Sequence, residues 1–161
     1  MTGTIPAPFA IRRSHPGDVA RVIDIWRGAV AATHDFLREA DRAEIDSSAC
    51  AYLATAELWV LVDDTDRPMA FSAVTGSNMD ALFVAAEAQG KGMGRRLVQH
   101  ALSLAPTLTT QVNEGNAQAV GFYLKQGFRP VRRDECDDDG RPYPIIQLAW
   151  DGDGRDGQSQ A

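Results

Sequence analysis

A glycine-rich turn at residues 89–96, Gln-Gly-Lys-Gly-Met-Gly-Arg-Arg, constrains the fold of this chain more than any other feature. It follows an apolar run typical of a buried strand and precedes a segment with the apolar spacing of a helix. Gly90, Gly92 and Gly94 allow the backbone to approach an anion closely, and the first N–H groups of the following helix, at its positive dipole end, point at that anion. The turn therefore predicts a strand–loop–helix unit that binds a phosphate-carrying cofactor.

Two better-known phosphate loops do not fit this turn. A Walker A loop requires a lysine followed by Ser or Thr, and neither Lys91 nor Lys125 is followed by one. A Rossmann fingerprint requires a third glycine at position 95, where this chain has Arg95. The pattern that fits is Gln/Arg-x-x-Gly-x-Gly/Ala, which begins here at Gln89.

A second motif follows the first after one predicted helix and one short strand. It reads Asn-x-x-Ala-x-x-Phe-Tyr-x-x-x-Gly-Phe and occupies residues 116–128. With both motifs in this order, the chain resembles the GCN5-related N-acetyltransferases (the GNAT family), whose glycine loop binds the pyrophosphate of acetyl-CoA. The resemblance extends over most of the chain, and segments 32–37, 79–83 and 142–144 are similar to the bacterial YjaB-type branch of that family.

The order of predicted elements indicates the fold class. An early antiparallel run is followed by strand, helix, strand, helix and strand, which predicts an α/β (α+β) mixed sheet with helices on both faces. The resemblance implies a GNAT-like fold of about seven strands. We expect one N-acetyltransferase domain at residues 1–150 and a disordered tail at residues 151–161. Strands are predicted at residues 9–12, 58–62, 69–74, 78–84, 108–112, 128–133 and 143–150, and helices after residue 17, at 38–54, from the glycine loop to 105, and at 114–126.

Composition narrows the function classes. The chain has 161 residues, 44% of them hydrophobic, which suits one globular domain with a real core. Its formal net charge of −6 argues against sequence-independent nucleic-acid binding, which requires clustered cations. We expect no membrane association and a cytoplasmic location, because the apolar runs are short and residues 1–10 do not read as a signal peptide. Cys50 and Cys136 are expected to be free thiols.

The resemblance implies acetyl-CoA as co-substrate and no metal. Backbone amides of the glycine loop would bind the pyrophosphate, with charge from its basic side chains, and the backbone of the fourth strand would hydrogen-bond the pantetheine arm. The cofactor-binding residues expected on this basis are Leu82, Phe83, Val84, Gln89, Gly90, Lys91, Gly92, Met93, Gly94, Arg95 and Asn116.

Tyr123 is the catalytic residue that the resemblance implies. A phenol with the ordinary pKa near ~10 is protonated at pH 7 and can give its proton to a departing thiolate. Asn116 and Tyr123 are seven residues apart, which on a helix brings both within about 20° of one face, so one ligand could contact both. The alternatives are a core tyrosine with its hydroxyl at the rim and an asparagine that caps the helix.

The acceptor site must accommodate an amine that is mostly charged at pH 7. A lysine-like amine with a pKa of ~10.4 loses its proton at pH 7 at a cost of about 4.6 kcal/mol, so a base or water relay would help. His34, Asp35, Asp80 and Glu114 are candidates by residue type. We expect His34, Asn78 and Asp80 to contact the acceptor, against the alternatives of a packed histidine and of turn chemistry.

These observations predict an acetyl-CoA-dependent N-acetyltransferase in which a primary amine attacks the thioester directly in a ternary complex. The resemblance favours peptidyl-lysine as the acceptor and leaves a homodimer open. Three alternatives remain at this point. The chain could acetylate a free small-molecule amine, act as a non-catalytic CoA-binding sensor, or bind ADP or ATP with the same loop.

Overall fold

The computed structural model describes residues 9–151 and contains seven strands and four α-helices. The strands have the order β1-β2-β3-β4-β5-β7-β6 in one mixed sheet. The predicted fold class is therefore confirmed. The elements are β1 (Ala10–Arg13), α1 (Val19–Thr33), α2 (Glu39–Thr55), β2 (Trp59–Val62), β3 (Pro68–Thr75), β4 (Asn78–Val84), α3 (Met93–Leu104), β5 (Thr109–Asn113), α4 (Ala117–Gln126), β6 (Phe128–Asp134) and β7 (Ile145–Trp150), with short 3-10 turns at Pro16–Asp18 and Ala86–Ala88.

The described chain divides into two compact units. The first contains residues 9–74 and 81–97, and the second contains residues 75–80 and 98–151. The single domain predicted for residues 1–150 stays a prediction. Apart from Asp151, the predicted disordered tail lies outside the described residues.

The first unit is built on the antiparallel strands β1, β2 and β3. Strand β2, Trp-Val-Leu-Val, is rich in the β-branched residues that favour strands and is almost wholly buried. Helix α1 presents apolar residues at helical spacing to the same core. The residues of α1 that are buried are Val22, Ile25, Trp26, Ala29 and Val30.

A partly buried ion pair joins the start of α1 to β1. Both terminal nitrogens of Arg12 donate to the Asp18 carboxylate, at 2.9 and 3.1 Å. The backbone N–H of His15 donates to the same carboxylate at 2.9 Å. The hydrogen bonds from Arg12 hold the pKa of Asp18 below its usual range. The chain thus turns from strand to helix with the Asp18 charge fully paired.

The second unit contains the start of β4 with β5, β7 and β6. Parallel pairing joins Asn78 to Thr109 and Met79 to Thr110. Strand β7 pairs antiparallel with both β5 and β6. The outer strand β6 is largely exposed and contains Pro130 beside a register shift, which is typical of an edge strand.

Helix α4 begins later than predicted. The expected helix covers residues 114–126, whereas α4 starts at Ala117 with Asn116 as its N-cap. Asn116 Oδ1 accepts a hydrogen bond from the Ala119 N–H at 3.1 Å, which is the bond that favours Asn at helix starts. Asn116 therefore lies outside the helix, and the expectation that it shares a helical face with Tyr123 is wrong. The predicted end of the helix at Gly127 is confirmed, with φ at 112°.

Candidate active site

The glycine loop uses the backbone freedom that glycine allows. Gly90 and Gly92 adopt positive φ angles of 79° and 83°, which disfavour side chains. A Cβ at either position would meet nothing within 4 Å, so the backbone faces open space. Helix α3 begins directly after the loop, and the Arg96 N–H donates to the Gly92 carbonyl at 3.1 Å. The amides of the first turn of α3 consequently have no partner within the helix.

Side chains around the loop divide into exposed and structural ones. Lys91 and Arg95 are exposed, whereas Met93 is 4% exposed and belongs to the hydrophobic core. Met93 can therefore contribute to ligand binding only through its backbone. The Arg96 guanidinium donates to the Phe9 carbonyl at 3.1 Å, so this side chain is hydrogen-bonded within the protein. Lys91 and Arg95 are thus the exposed cations of the loop for which no contact within the protein is described.

Gln89 connects the loop to the end of β4. Its side-chain amide donates to the Val84 carbonyl at 2.9 Å. The side chains of Leu82, Phe83 and Val84 pack against the core of the first unit, and the Phe83 ring lies 5.6 Å from the Phe71 ring. Their side chains are structural, as expected, and a role in pantetheine binding would fall to their backbone.

Tyr123 lies in the second unit and is 7% exposed. Its ring makes edge-to-face contacts with Phe122 and Phe128, with centroids 5.2 and 5.3 Å away. Burial raises the pKa of Tyr123, and a hydrogen bond with the Thr110 side chain lowers it by a smaller amount. The ordinary pKa expected from the sequence is therefore wrong, because a buried phenolate loses hydration. Tyr123 stays protonated at neutral and moderately alkaline pH.

Thr110 is the neighbour of Tyr123 that the sequence analysis did not identify. It is 3% exposed on β5, and its hydroxyl donates to the Met79 carbonyl at 2.7 Å. A sequence signal exists in the alternation of residues 108–112, where Thr110 lies between the apolar Leu108 and Val112 at every second position, and the structure buries all three. Among these inward positions, a threonine is the one that brings a hydroxyl into the interior.

Asn78 and Asp80 contact each other at the start of β4. The Asn78 amide donates to Asp80 Oδ1 at 2.6 Å, and the Thr75 hydroxyl donates to Asp80 Oδ2 at 2.5 Å. The Thr109 hydroxyl donates to Asn78 Oδ1 at 2.7 Å. Asp80 is exposed, so its carboxylate remains accessible to an external cation. These bonds also suit the turn chemistry considered as the alternative.

His34 lies in the first unit and is buried. Its Nδ1 is 2.7 Å from the Thr33 hydroxyl, which itself donates to the Ala29 carbonyl at 2.7 Å. Because a hydroxyl has one proton, His34 Nδ1 carries the proton of this contact and Nε2 is the basic nitrogen. Burial, reinforced by Arg42 and opposed by Asp35, lowers the pKa of His34. The imidazole is therefore neutral at pH 7.

We expect His34 to make stability depend on pH. The unfolded histidine titrates near ~6.5 and the folded one at lower pH, so the unfolded state binds more protons in between. The contribution of His34 to the free energy of unfolding is fully present above pH ~6.5 and is lost as the pH falls through the pKa of the folded state. His34→Gln should give a shallower fall in the free energy of unfolding across this window, measured by urea denaturation. Parallel curves for the two proteins would contradict this assignment.

Glu114 is a weaker candidate base than its residue type suggests. Arg133 donates to both of its carboxylate oxygens, at 2.7 and 3.0 Å, and this pairing lowers the pKa of Glu114.

Among the described residues there is no group of three or more His, Cys, Asp or Glu side chains able to hold a metal ion. Cys50 and Cys136 are free thiols. Within residues 9–151, no helix combines the length and the apolar character that crossing a bilayer requires.

Comparison with known proteins gives the chain a clear set of relatives. Residues 32–144 match the family model described as an acetyltransferase (GNAT) domain. The chain is 51% identical over 140 residues to the peptidyl-lysine N-acetyltransferase YjaB of Salmonella typhimurium, covering 87% of this chain and 97% of that protein. It is 48% identical to the Escherichia coli protein of the same name, covering 89% and 98%. The solution structure of the apo form of Escherichia coli YjaB superposes with a TM-score of 0.85 over 88% of this chain and 97% of that one.

Proposed function

Because the chain belongs to the GNAT family of acetyltransferases, we propose that it transfers the acetyl group of acetyl-CoA to the side-chain amine of lysines in proteins. The acceptor class is inferred from the similarity of this chain, along nearly the whole length of each relative, to proteins named peptidyl-lysine N-acetyltransferases. The two family motifs support the transfer chemistry, since the glycine loop has the open backbone that a pyrophosphate requires.

The glycine loop binds the pyrophosphate of acetyl-CoA in this proposal. The amides of Gly90, Gly92 and the first turn of α3 donate to its oxygens, and Lys91 and Arg95 supply charge. The backbone of Leu82, Phe83 and Val84 hydrogen-bonds the pantetheine arm. Support for this assignment comes from the pairing of β4 with β5. The pairs Asn78–Thr109 and Met79–Thr110 lie near the start of each strand, and Leu82, Phe83 and Val84 lie further along β4. The amide of Asn116 is also assigned to the cofactor, although its oxygen caps α4.

Gly92→Ala should weaken acetyl-CoA binding by about tenfold or more. An alanine at φ near 83° stores roughly 1–3 kcal/mol of strain, and the loop relieves it by moving its amides away from the phosphate. Isothermal titration calorimetry with acetyl-CoA measures the effect.

Gly76→Ala is the matched control for the loop variant. Gly76 also has a positive φ, at 60°, with nothing within 4 Å of an added Cβ, but it lies in the turn between β3 and β4. The affinity of the Gly76→Ala variant for acetyl-CoA should stay within about twofold of wild type. Equal losses in the two variants would mean that general destabilisation, and not the loop, weakens binding.

Chemistry proceeds by direct attack of the neutral amine on the thioester carbonyl. The carbon–sulfur bond then breaks, and Tyr123 donates its phenolic proton to the departing thiolate. The attacking nitrogen loses its extra proton to water, and Tyr123 regains one from water after the products leave. A backbone amide of β4 polarises the carbonyl.

Asp80 and Asn78 bind the acceptor in this proposal, together with His34. The exposed Asp80 carboxylate can attract the lysine ammonium, and the neutral His34 imidazole can accept a proton at Nε2. The net charge of −6 also suits a cationic acceptor. A cytoplasmic location and a homodimer complete the proposal.

A competition experiment tests the acceptor class. Wild-type protein is given acetyl-CoA with equal concentrations of a lysine peptide, the same peptide with its lysine Nε-acetylated, and a free polyamine. We expect kcat/KM for the unblocked peptide to exceed that for the polyamine by at least tenfold, with no turnover of the blocked peptide. A preference for the polyamine would reassign the chain to small-amine acetylation. A separate binding measurement with ADP and acetyl-CoA tests the nucleotide alternative, which tighter binding of ADP would favour.

A further inference from the structure

The chain has few side-chain amines that its own proposed activity could acetylate. Of its 16 lysines and arginines, only Lys91 and Lys125 are lysines. An arginine guanidinium stays protonated in proteins, so it does not act as an amine nucleophile. Both lysines are exposed, and the structure gives neither of them a hydrogen bond or an ion pair with another described residue. Self-acetylation of side-chain amines is therefore restricted to these two positions.

Lys91 has the more accessible backbone of the two. Gly90 and Gly92 flank it, and an added Cβ at either glycine would meet nothing within 4 Å. The loop lies outside the helices and strands, so its backbone can follow the shape of an enzyme's cleft. Lys125 lies in the last turn of α4, where helical hydrogen bonds fix the backbone and the helix dipole favours the ammonium charge. Lys91 is consequently the better acceptor.

The proposed function places the cofactor pyrophosphate at this same loop. In a copy that holds acetyl-CoA, the Lys91 ammonium lies against the pyrophosphate and is not available as a nucleophile. An available Lys91 therefore belongs to a copy without cofactor, whereas the acetyl group comes from a copy with cofactor. Because the chain has one such loop, the transfer requires two copies.

We propose that Lys91 is a modification site, at which one copy of the protein acetylates a second, cofactor-free copy and thereby lowers the affinity of that second copy for acetyl-CoA. This inference rests on the proposed function. The neutral Lys91 amine attacks the thioester carbonyl on the donor copy, a carbon–nitrogen bond forms, and the carbon–sulfur bond breaks. The nitrogen loses its extra proton to water, and the departing thiolate takes the phenolic proton of the donor's Tyr123.

Isotope labelling tests the transfer between copies. Isotope-labelled Tyr123→Phe protein, which lacks the proposed acid, is the acceptor, and unlabelled wild type is the donor. Acetyl-CoA is added near its Kd, so that loaded and empty copies are both present, and tandem mass spectrometry distinguishes the two proteins by mass. Lys91 of the labelled protein should be acetylated at least about tenfold faster with wild type present than without it. Lys125 of the same protein should be acetylated much more slowly than Lys91.

A lysine peptide in a parallel sample separates the failure of this inference from the failure of the proposed function. Turnover of the peptide without acetylation of Lys91 would overturn the inference and leave the proposed function standing. Absence of both reactions would remove the proposed function and the inference with it. Acetylation of Lys91 at the same rate with and without wild type would indicate chemical reaction with acetyl-CoA and would also overturn the inference.

The dependence on acetyl-CoA concentration is a further check. Saturating acetyl-CoA fills the loop of the acceptor copy, so acetylation of Lys91 should slow under conditions in which the lysine peptide turns over fastest. A rate of Lys91 acetylation that rises to a plateau with acetyl-CoA, as the peptide rate does, would contradict the requirement for a cofactor-free acceptor.

Affinity for acetyl-CoA tests the consequence of the modification. An acetylated lysine has neither the charge nor the ammonium donors that bind a phosphate. Lys91→Gln imitates this neutral side chain and should raise the Kd for acetyl-CoA about threefold to tenfold, whereas Lys91→Arg retains a cation and should give a smaller increase. Lys125→Gln is the matched control and should leave the Kd within about twofold of wild type. Equal Kd values for wild type and Lys91→Gln, measured by calorimetry, would overturn the proposed loss of affinity.

Discussion

Replacing Tyr123 by phenylalanine should lower kcat by about 10²- to 10⁴-fold, the range typical of losing a general acid. The variant keeps the ring that packs between Phe122 and Phe128, so binding of acetyl-CoA should stay within about twofold of wild type. Stopped-flow detection of free thiol, with calorimetric binding in parallel, separates rate from affinity.

The pH dependence of this loss follows from the burial of Tyr123. Because burial raises its pKa, the acid remains protonated, and the ratio of wild-type to variant kcat should be constant from about pH 7 to 10. Tyr52→Phe is the matched control, since it removes a phenol from an exposed position on α2 and should leave kcat unchanged. Comparable loss in both tyrosine variants, or none in Tyr123→Phe, would remove the acid role.

The largest expected effect on stability is at Gly127, where α4 ends. Its φ of 112° disfavours any side chain, and an added Cβ would lie 2.9 Å from Trp150 Nε1. The indole cannot turn away freely, because Nε1 donates to the Gln126 carbonyl at 3.1 Å. Gly127→Ala should therefore reduce the free energy of unfolding by about 2–4 kcal/mol, measured by chemical denaturation.

Gly121→Ala provides the opposite control within the same helix. Gly121 lies inside α4, and a Cβ there would meet nothing within 4 Å. The alanine should raise the free energy of unfolding by about 0.5–1 kcal/mol, because it restricts the unfolded chain and favours the helix. If the two alanine variants shift stability in the same direction, the conformation assigned to Gly127 is incorrect.

Local chemistry explains what the sequence predicted well. The bounds of β4 were predicted without error, since turn residues flank a run of strand formers. The positive φ angles at Gly90 and Gly92 follow from the glycine pattern, and the helix end at Gly127 follows from the glycine preference there. All seven strands were found within two residues of their predicted ends.

The remaining features depend on contacts between segments distant in sequence. Thr110 acts on the pKa of Tyr123 because strand β5 and helix α4 come together in the fold, and no spacing along the chain indicates that proximity. Burial raised the pKa of Tyr123 and lowered that of His34, and burial is a tertiary property. The sequence predicts a helix from residue 114, which places Asn116 inside it, although the residue type of Asn116 also indicates a cap.

Whether release of CoA thiol from acetyl-CoA depends on an unblocked lysine decides between a lysine acetyltransferase and a CoA-binding sensor. Wild-type protein is mixed with acetyl-CoA, with and without a lysine peptide. Tandem mass spectrometry then identifies which residue of the peptide is acetylated. We predict that thiol release requires the peptide and that one acetyl group per thiol appears on the lysine Nε. Tight binding of acetyl-CoA with no thiol release for any amine would contradict the account and favour a CoA-binding sensor.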